Sequence, residues 1–553
     1  MNGSGRRRVA VIGSGFGGAI LACRLAETGR FDVHVLERGA RYARGTFPRS
    51  PEALRQAFWE PDKGGFGLFE YRSFARSHID VLTAAGVGGG SLIYSNVLYR
   101  MPEEFFDDWP GALRRDTLDP YYDRALGMLE ATPYPVNQRD WPYWSRTPKA
   151  RALAEVAAKI RGSGRGHPPV HLEWPPLAVQ FGPEPGREII NQQGVPQTAC
   201  VMCGECNIGC NFNAKNTLDL NYLARAVTHG AQVHTHARVS AITPRSPGEA
   251  GFDLTIGDPR YALGEAPERT ETYDLVVLAA GSLGSTELAL RLRAETKLGR
   301  TLSKTLGTRW SPNGDLLGWV QHEDWPLDPS SGPVITGALH VRSAAYADGF
   351  AAGAWVEDGG IPGLLAWYIL GRLGAVSGAV GAATGVFDYL ARKALGGLAN
   401  VGEDLRSVLI ADRKWTSHTL MMLAMGRDRA TGVLDLSEPD GGVHLRWDAG
   451  DGEIHYQRTR AIMSRVAEAL GGQFVENVLD DVLNRYVSVH PVGGLPLGDD
   501  IEHGTVDART GELFGCKGLF VVDGSILPGP VGPNPALTIA ALAELYAERL
   551  CHA

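Results

Sequence analysis

Four of the seven cysteines fall within eleven residues, Cys200, Cys203, Cys206 and Cys210, in C-V-M-C-G-E-C-N-I-G-C. The spacing C-x2-C-x2-C-x3-C admits three chemistries, beside a run of thiols that binds nothing. Structural disulfides fit poorly, because residues three apart make an awkward pair and the chain carries no export pattern. Zinc takes four thiolates, but structural zinc usually joins two knuckles across a longer loop. An iron–sulfur cluster fits best, since the run has the bacterial ferredoxin spacing, although no proline follows Cys210. There is no second run, so a single cluster needs Cys210 to fold back, or takes only three ligands.

A second constellation lies at the N-terminal end. The apolar run Arg8–Ile12 (RVAVI) reads as a buried strand, and Gly13-Ser14-Gly15-Phe16-Gly17-Gly18 leads into a helical stretch. A further strand, VHVLE, ends in Glu37. Gly13 allows the tight turn, Gly15 a close approach by a pyrophosphate, and Gly18 close packing of helix on strand. Glu37 suits a ribose 2′-hydroxyl and repels a 2′-phosphate, which argues against NADP. The pattern predicts dinucleotide binding without separating FAD from NAD.

These residues need a large frame. The chain of 553 residues is 44% hydrophobic and 21% charged, ordinary for a globular protein of two or more domains. A net charge of −8 discourages nucleic-acid or anionic-membrane binding. The basic lead MNGSGRRR is followed by no apolar targeting segment, so a cytoplasmic protein with reduced thiols is expected. The charge-free run of residues 373–387 is shorter than the ~20 residues that span a bilayer. It suits a buried helix pair, or an interfacial element in peripheral contact with a membrane.

Three more stretches carry a family likeness: TAAGVGGGSLIYSN (Thr83–Asn96), DLVVLAAGSLGSTELALRL (Asp274–Leu292) and GLFVVDGSILPGPVGPNPALTIAALAELYAERL (Gly518–Leu550). In this order, after the glycine cradle, they resemble the glucose–methanol–choline (GMC) FAD oxidoreductases, and within them the bacterial cholesterol oxidase branch. The resemblance spans nearly the whole chain and is most specific at its ends. It implies an α/β fold, α+β overall, with a Rossmann-type FAD domain from residues 1–45, 76–110, 200–310 and 485–553. A substrate domain with a mixed or antiparallel sheet takes 46–75, 111–199 and 311–484. Gly13, Gly15, Phe16, Gly18, Glu37 and Val239 then match the ADP side. Gly88, Gly89, Gly90, Ser91, Asn96, Gly281, Asp523, Gly524 and Pro535 match the flavin side. The loop S-L-I-Y-S-N lacks the histidine that some members bond to the flavin, so FAD is expected to be non-covalent.

The likeness also assigns the chemistry. His490, in V-H-P-V-G-G, is expected to take the proton of an alcohol whose hydride goes to flavin N5. Asn534, in G-P-N-P, is expected to hydrogen-bond the same oxygen. Asn534-Pro535 also reads as N-cap and first residue of the last helix, and one of these two roles must dominate. Glu357, in WVEDGGIP, resembles a second base that moves a double bond; a polar rim glutamate would look the same. Asn313, in WSPNGD, resembles a pocket asparagine and also reads as a turn residue. The expected substrate is a steroid or other bulky alicyclic alcohol, admitted through an apolar entrance within residues 361–400. The oxidant is O2 or an acceptor protein; some GMC sugar dehydrogenases carry an iron–sulfur cluster near this part of the chain. The alternatives are a lyase on the FAD scaffold and a non-catalytic FAD-binding protein.

Overall fold

The computed structural model describes residues 5–161, 169–246, 249–261, 268–297, 301–321, 326–342, 349–360, 362, 417–436, 442–476 and 485–552. Two sheets organise them. The first has five strands in the order Gln232–His234, Phe31–Leu36, Arg7–Ile12, Leu275–Leu278 and Leu519–Val521. Every neighbouring pair in it is parallel. Its central strands, VAVI and LVVL, are buried throughout, which is why they read as unbroken apolar runs. Helix Phe16–Glu27 packs against the final helix Ala536–His552. Between them Arg24 grips the fully buried Glu544 through two bonds of 2.8 and 2.7 Å, and the Tyr222 hydroxyl donates to Glu544 at 2.7 Å. The two ends of the chain thus share one core.

The second sheet has six strands in the order Gln473–Glu476, Leu316–Gln321, Thr419–Gly426, Ala354–Gly359, Ala338–Val341 and Val170–Glu173. All its pairings are antiparallel. Alternation along the strands separates two faces. Leu316, Val320, Val356, Met422 and Ala424 join a core with helices Pro148–Arg161 and Glu453–Leu470. Trp355, Leu423 and Met425 belong instead to the core of the parallel sheet. Cross-strand register puts Glu357 opposite Leu423 and Ala338, on that second face.

The helix that follows the cysteine loop starts at Tyr222. Residues 217–220 form a turn, with Leu220 N–H bonded to the Thr217 carbonyl, and Leu218 N–H donates to Ser91 Oγ at 3.1 Å. A turn in contact with the glycine-rich loop thus precedes the helix, and Asn221 caps the helix through Tyr222 N–H. Residues 373–387, and 361–400 apart from Pro362, lie outside the described residues. Among the described residues no helix is long and apolar enough to cross a membrane.

Candidate active site

The glycine cradle forms as its spacing predicts. Gly13 has φ of 103°, and a Cβ there would stand 2.3 Å from the Ala279 carbonyl oxygen. A Cβ on Gly18 would meet the Gly13 carbonyl at 2.1 Å, and one on Gly17 would meet the Val522 carbonyl at 1.5 Å. Gly15 is different: its Cβ would find nothing nearer than Gly89 Cα at 4.0 Å, at the open end of the first helix. Gly88, Gly89, Gly90 and Ser91 belong to a tight loop against it, and Ser91 Oγ donates to the Gly88 carbonyl at 2.7 Å. Glu37 is buried, and it accepts from Ser14 N–H (3.2 Å), Ser14 Oγ (2.5 Å) and Gly39 N–H (2.8 Å). Its carboxylate is thus fixed by the cradle itself. Ala237 N–H bonds to the Glu37 carbonyl, which brings the Val239 strand alongside.

The C-terminal turn joins the same place. Asp523 accepts from Gly281 N–H (2.9 Å), Ser525 N–H (2.8 Å) and the Ser285 and Ser525 hydroxyls. Gly524 offers its carbonyl to Gly493 N–H at 2.8 Å, which ties on the His490 loop. Gly493 and Gly494 have φ of 79° and 110°, and a Cβ on Gly493 would lie 1.9 Å from the Arg309 carbonyl oxygen. The two glycines after His-Pro-Val are thus required by space as well as by conformation.

His490 is held by an acid that the sequence reading passed over. Its Nδ1 lies 2.8 Å from Asp315 Oδ1, and Asp315 Oδ2 accepts from Val489 N–H (2.8 Å) and His490 N–H (3.0 Å). A carboxylate only accepts, so Nδ1 carries the hydrogen and Nε2 is left as the basic position. Asp315 ends the stretch W-S-P-N-G-D, two residues beyond Asn313; a carboxylate closing a turn was the only available signal.

Asn313 serves the neighbouring loop. It sits in the left-handed region (φ 59°), donates to the Pro533 carbonyl at 3.0 Å and accepts from Val531 N–H at 2.9 Å. The turn 311–315 therefore holds both the His490 strand and the loop that presents Asn534. The N-cap expectation for Asn534 needs correction. The helix begins at Ala536, the Pro535 carbonyl accepts its first bond from Ile539 N–H, and Asn534 Oδ1 has no hydrogen-bond partner. Asn534 is released from capping because Pro535 separates it from the first helical residue.

Glu357 is fully buried, and neither carboxyl oxygen has a hydrogen-bond partner in good geometry. Burial pushes its acid well above the usual carboxyl range, and the Asn534 amide is the neighbour that most opposes the shift. Both side-chain polar atoms of Asn96 (φ 70°) and one buried oxygen of the half-buried Asp219 are also without partners. Buried polar atoms left unpaired cost about 1–3 kcal/mol each, so such groups beside a glycine cradle fit a polar ring system bound between them.

The cysteine loop is tied by Lys215 to the segment Leu92–Tyr94 that follows the glycine loop. None of the seven cysteines forms a disulfide. Burial raises the Cys200, Cys203 and Cys210 thiols, Cys203 to about 12, so they are not activated nucleophiles. Cys23 is a core residue, as its helix position suggests.

The comparisons with known proteins agree with this geometry. The model of the GMC oxidoreductase family matches residues 455–543, and that of the NAD(P)-binding Rossmann-like domain matches 11–47. A cholesterol oxidase of Mycobacterium tuberculosis (strain CDC 1551 / Oshkosh) is 31% identical, over 97% of this chain and 89% of the relative. The chain belongs to the GMC oxidoreductase family. A second cholesterol oxidase, from Acinetobacter baumannii, is 28% identical over 97% and 92% of the two chains. Pyridoxine 4-oxidase from Mesorbium loti shares the fold at a TM-score of 0.59, with 17% identity and coverage of 99% and 100%. GMC oxidoreductases with this Rossmann-like domain depend on FAD, and this chain is an enzyme of that kind, acting on CH–OH donors.

Proposed function

We propose that this GMC enzyme oxidises a steroid or another bulky alicyclic alcohol to its carbonyl, with non-covalent FAD in the glycine cradle. The observation that carries the reading is the Asp315–His490 pair, which leaves Nε2 as the base. His490 takes the hydroxyl proton, and Asn534, freed from capping, orients the same oxygen. Bound FAD supplies the hydride acceptor. Glu357, neutral through burial, is available as a second acid or base next to Asn534. Trp355, Leu423 and Met425 share the sheet face of Glu357, and this apolar setting favours alicyclic substrates over sugars. The likeness to two cholesterol oxidases supports the same class.

Two acceptors fit the oxidative half-reaction: dioxygen, or an electron-acceptor protein reached through an iron–sulfur cluster in the cysteine loop. The enzyme is assigned to the cytoplasm, where thiols stay reduced. Peripheral contact with a membrane would suit a bulky apolar substrate.

The test is anaerobic mixing of holoenzyme with sterols, terpenoid alcohols and sugars. Bleaching of the flavin by a sterol or alicyclic alcohol is expected, and it also separates an oxidoreductase from a lyase. Failure of every alcohol to bleach it, or unchanged turnover in His490→Ala, sinks the reading.

A further inference from the structure

The four thiols of the cysteine run converge. Cys200, Cys203, Cys206 and Cys210 line one small cavity together with Gly332 and Pro333. The backbone is bent to achieve this. Met202, Gly204 and Gly209 take left-handed φ values of 61°, 69° and 86°. A Cβ on Gly204 would stand 2.7 Å from the Ser330 carbonyl oxygen, and one on Gly209 would stand 2.0 Å from the Phe47 ring. The bend at Gly209 turns Cys210 back onto the cavity that the first three cysteines line, which removes the geometric objection to a fourth ligand.

Two cations brace the loop. Lys215 is buried, and its Nζ donates to the carbonyls of Cys206 (2.9 Å), Leu92 (3.1 Å) and Tyr94 (2.7 Å). Arg49 bonds the Glu205 carboxylate at 2.6 Å and the carbonyls of Ile208 and Gly209. The loop is also joined to the dinucleotide side. Ser95 Oγ donates to Asn207 Oδ1 at 2.9 Å, and the Tyr94 ring meets Phe16 of the cradle edge-on at 5.5 Å.

Among the described residues, no three His, Cys, Asp or Glu side chains stand in the arrangement that holds one metal ion. The thiol spacing C-x2-C-x2-C-x3-C is the feature that favours a cluster over zinc.

We propose that Cys200, Cys203, Cys206 and Cys210 together ligate a single iron–sulfur cluster, positioned by Lys215 beside the loop that follows Gly88–Ser91. This deepens the acceptor-protein reading of the oxidative half-reaction and does not depend on which alcohol is the substrate. The test is anaerobic purification of the full-length holoenzyme, with assays of iron, acid-labile sulfide, zinc and FAD, and EPR after dithionite reduction. Iron and sulfide in equal amounts with a reduced-cluster signal are expected. The variant Cys203→Ser/Cys206→Ser should lose the iron and the signal while keeping FAD and alcohol bleaching. If that variant does not fold, stripping the wild type with ferricyanide and EDTA must abolish the signal, and reconstitution with ferrous iron and sulfide must restore it at constant FAD. Zinc without sulfide, iron retained in the serine variant, or no cluster after anaerobic reconstitution overturns the proposal. A chain with the cluster that no alcohol bleaches upholds this site and removes the alcohol assignment. An iron-free, unreconstitutable chain that is bleached does the reverse.

Discussion

An imidazole deprotonates an alcohol well only when one ring nitrogen is fixed and the other is left basic, and Asp315 imposes that order on His490. Asp315→Asn should leave FAD bound but slow anaerobic flavin reduction by about 10²-fold, the usual scale for disturbed acid–base catalysis. Stopped-flow reduction with flavin content measured in parallel checks this. Glu357 poses the opposite problem, a carboxyl kept neutral by burial. Its acid is raised in the folded state, so its contribution is complete below the unfolded value of about 4.3 and is lost as pH rises toward the folded value. Glu357→Gln removes this dependence. The variant should melt with the wild type at acidic pH and increasingly above it toward neutrality, which calorimetry across pH tests.

At the scale of elements, the turn 311–315 connects the two halves of the site. Ser311 exchanges both backbone bonds with Val492, each 3.0 Å, while Asn313 holds Val531 and Pro533. Asp428 stabilises the turn from behind, accepting from Ser311 Oγ (2.8 Å) and Gly314 N–H (3.1 Å). Asn313→Ala would leave the buried Val531 N–H and Pro533 carbonyl without these partners, a loss of about 2–3 kcal/mol. The loop carrying Asn534 should then loosen, lowering kcat more than FAD affinity. Denaturant melts and steady-state kinetics of this variant separate the two effects. Gly532 belongs to the same loop: a Cβ there would stand 2.3 Å from Phe105 and 2.8 Å from Trp355, so the antiparallel sheet rests directly on it.

Across the whole molecule, the parallel sheet is assembled from distant parts of the chain, and its last strand and helix close onto the first helix through Arg24–Glu544. A cofactor at the meeting point of these segments stabilises them together. Holoenzyme should melt higher than apoenzyme, and by mass action FAD at 100 times its Kd adds about 2.7 kcal/mol. Thermal melts over an FAD series check this, and no dependence on FAD would contradict the cradle assignment. The sequence alone determined the cradle and its strands, because turn glycines and apolar runs obey local rules, while His490 and Asn534 stood out only through the family resemblance. It also displayed four cysteines at a ligand's spacing. Only the tertiary structure decided which partners those residues meet. Asp315 meets His490 across 175 positions, a contact that no local pattern encodes. Asn534 loses its cap role to Pro535, and Cys210 is turned inward where Gly209 passes the Phe47 ring. The difference is physical: backbone conformation and periodicity are properties of neighbours in the chain, whereas partners and burial belong to residues that meet only after folding.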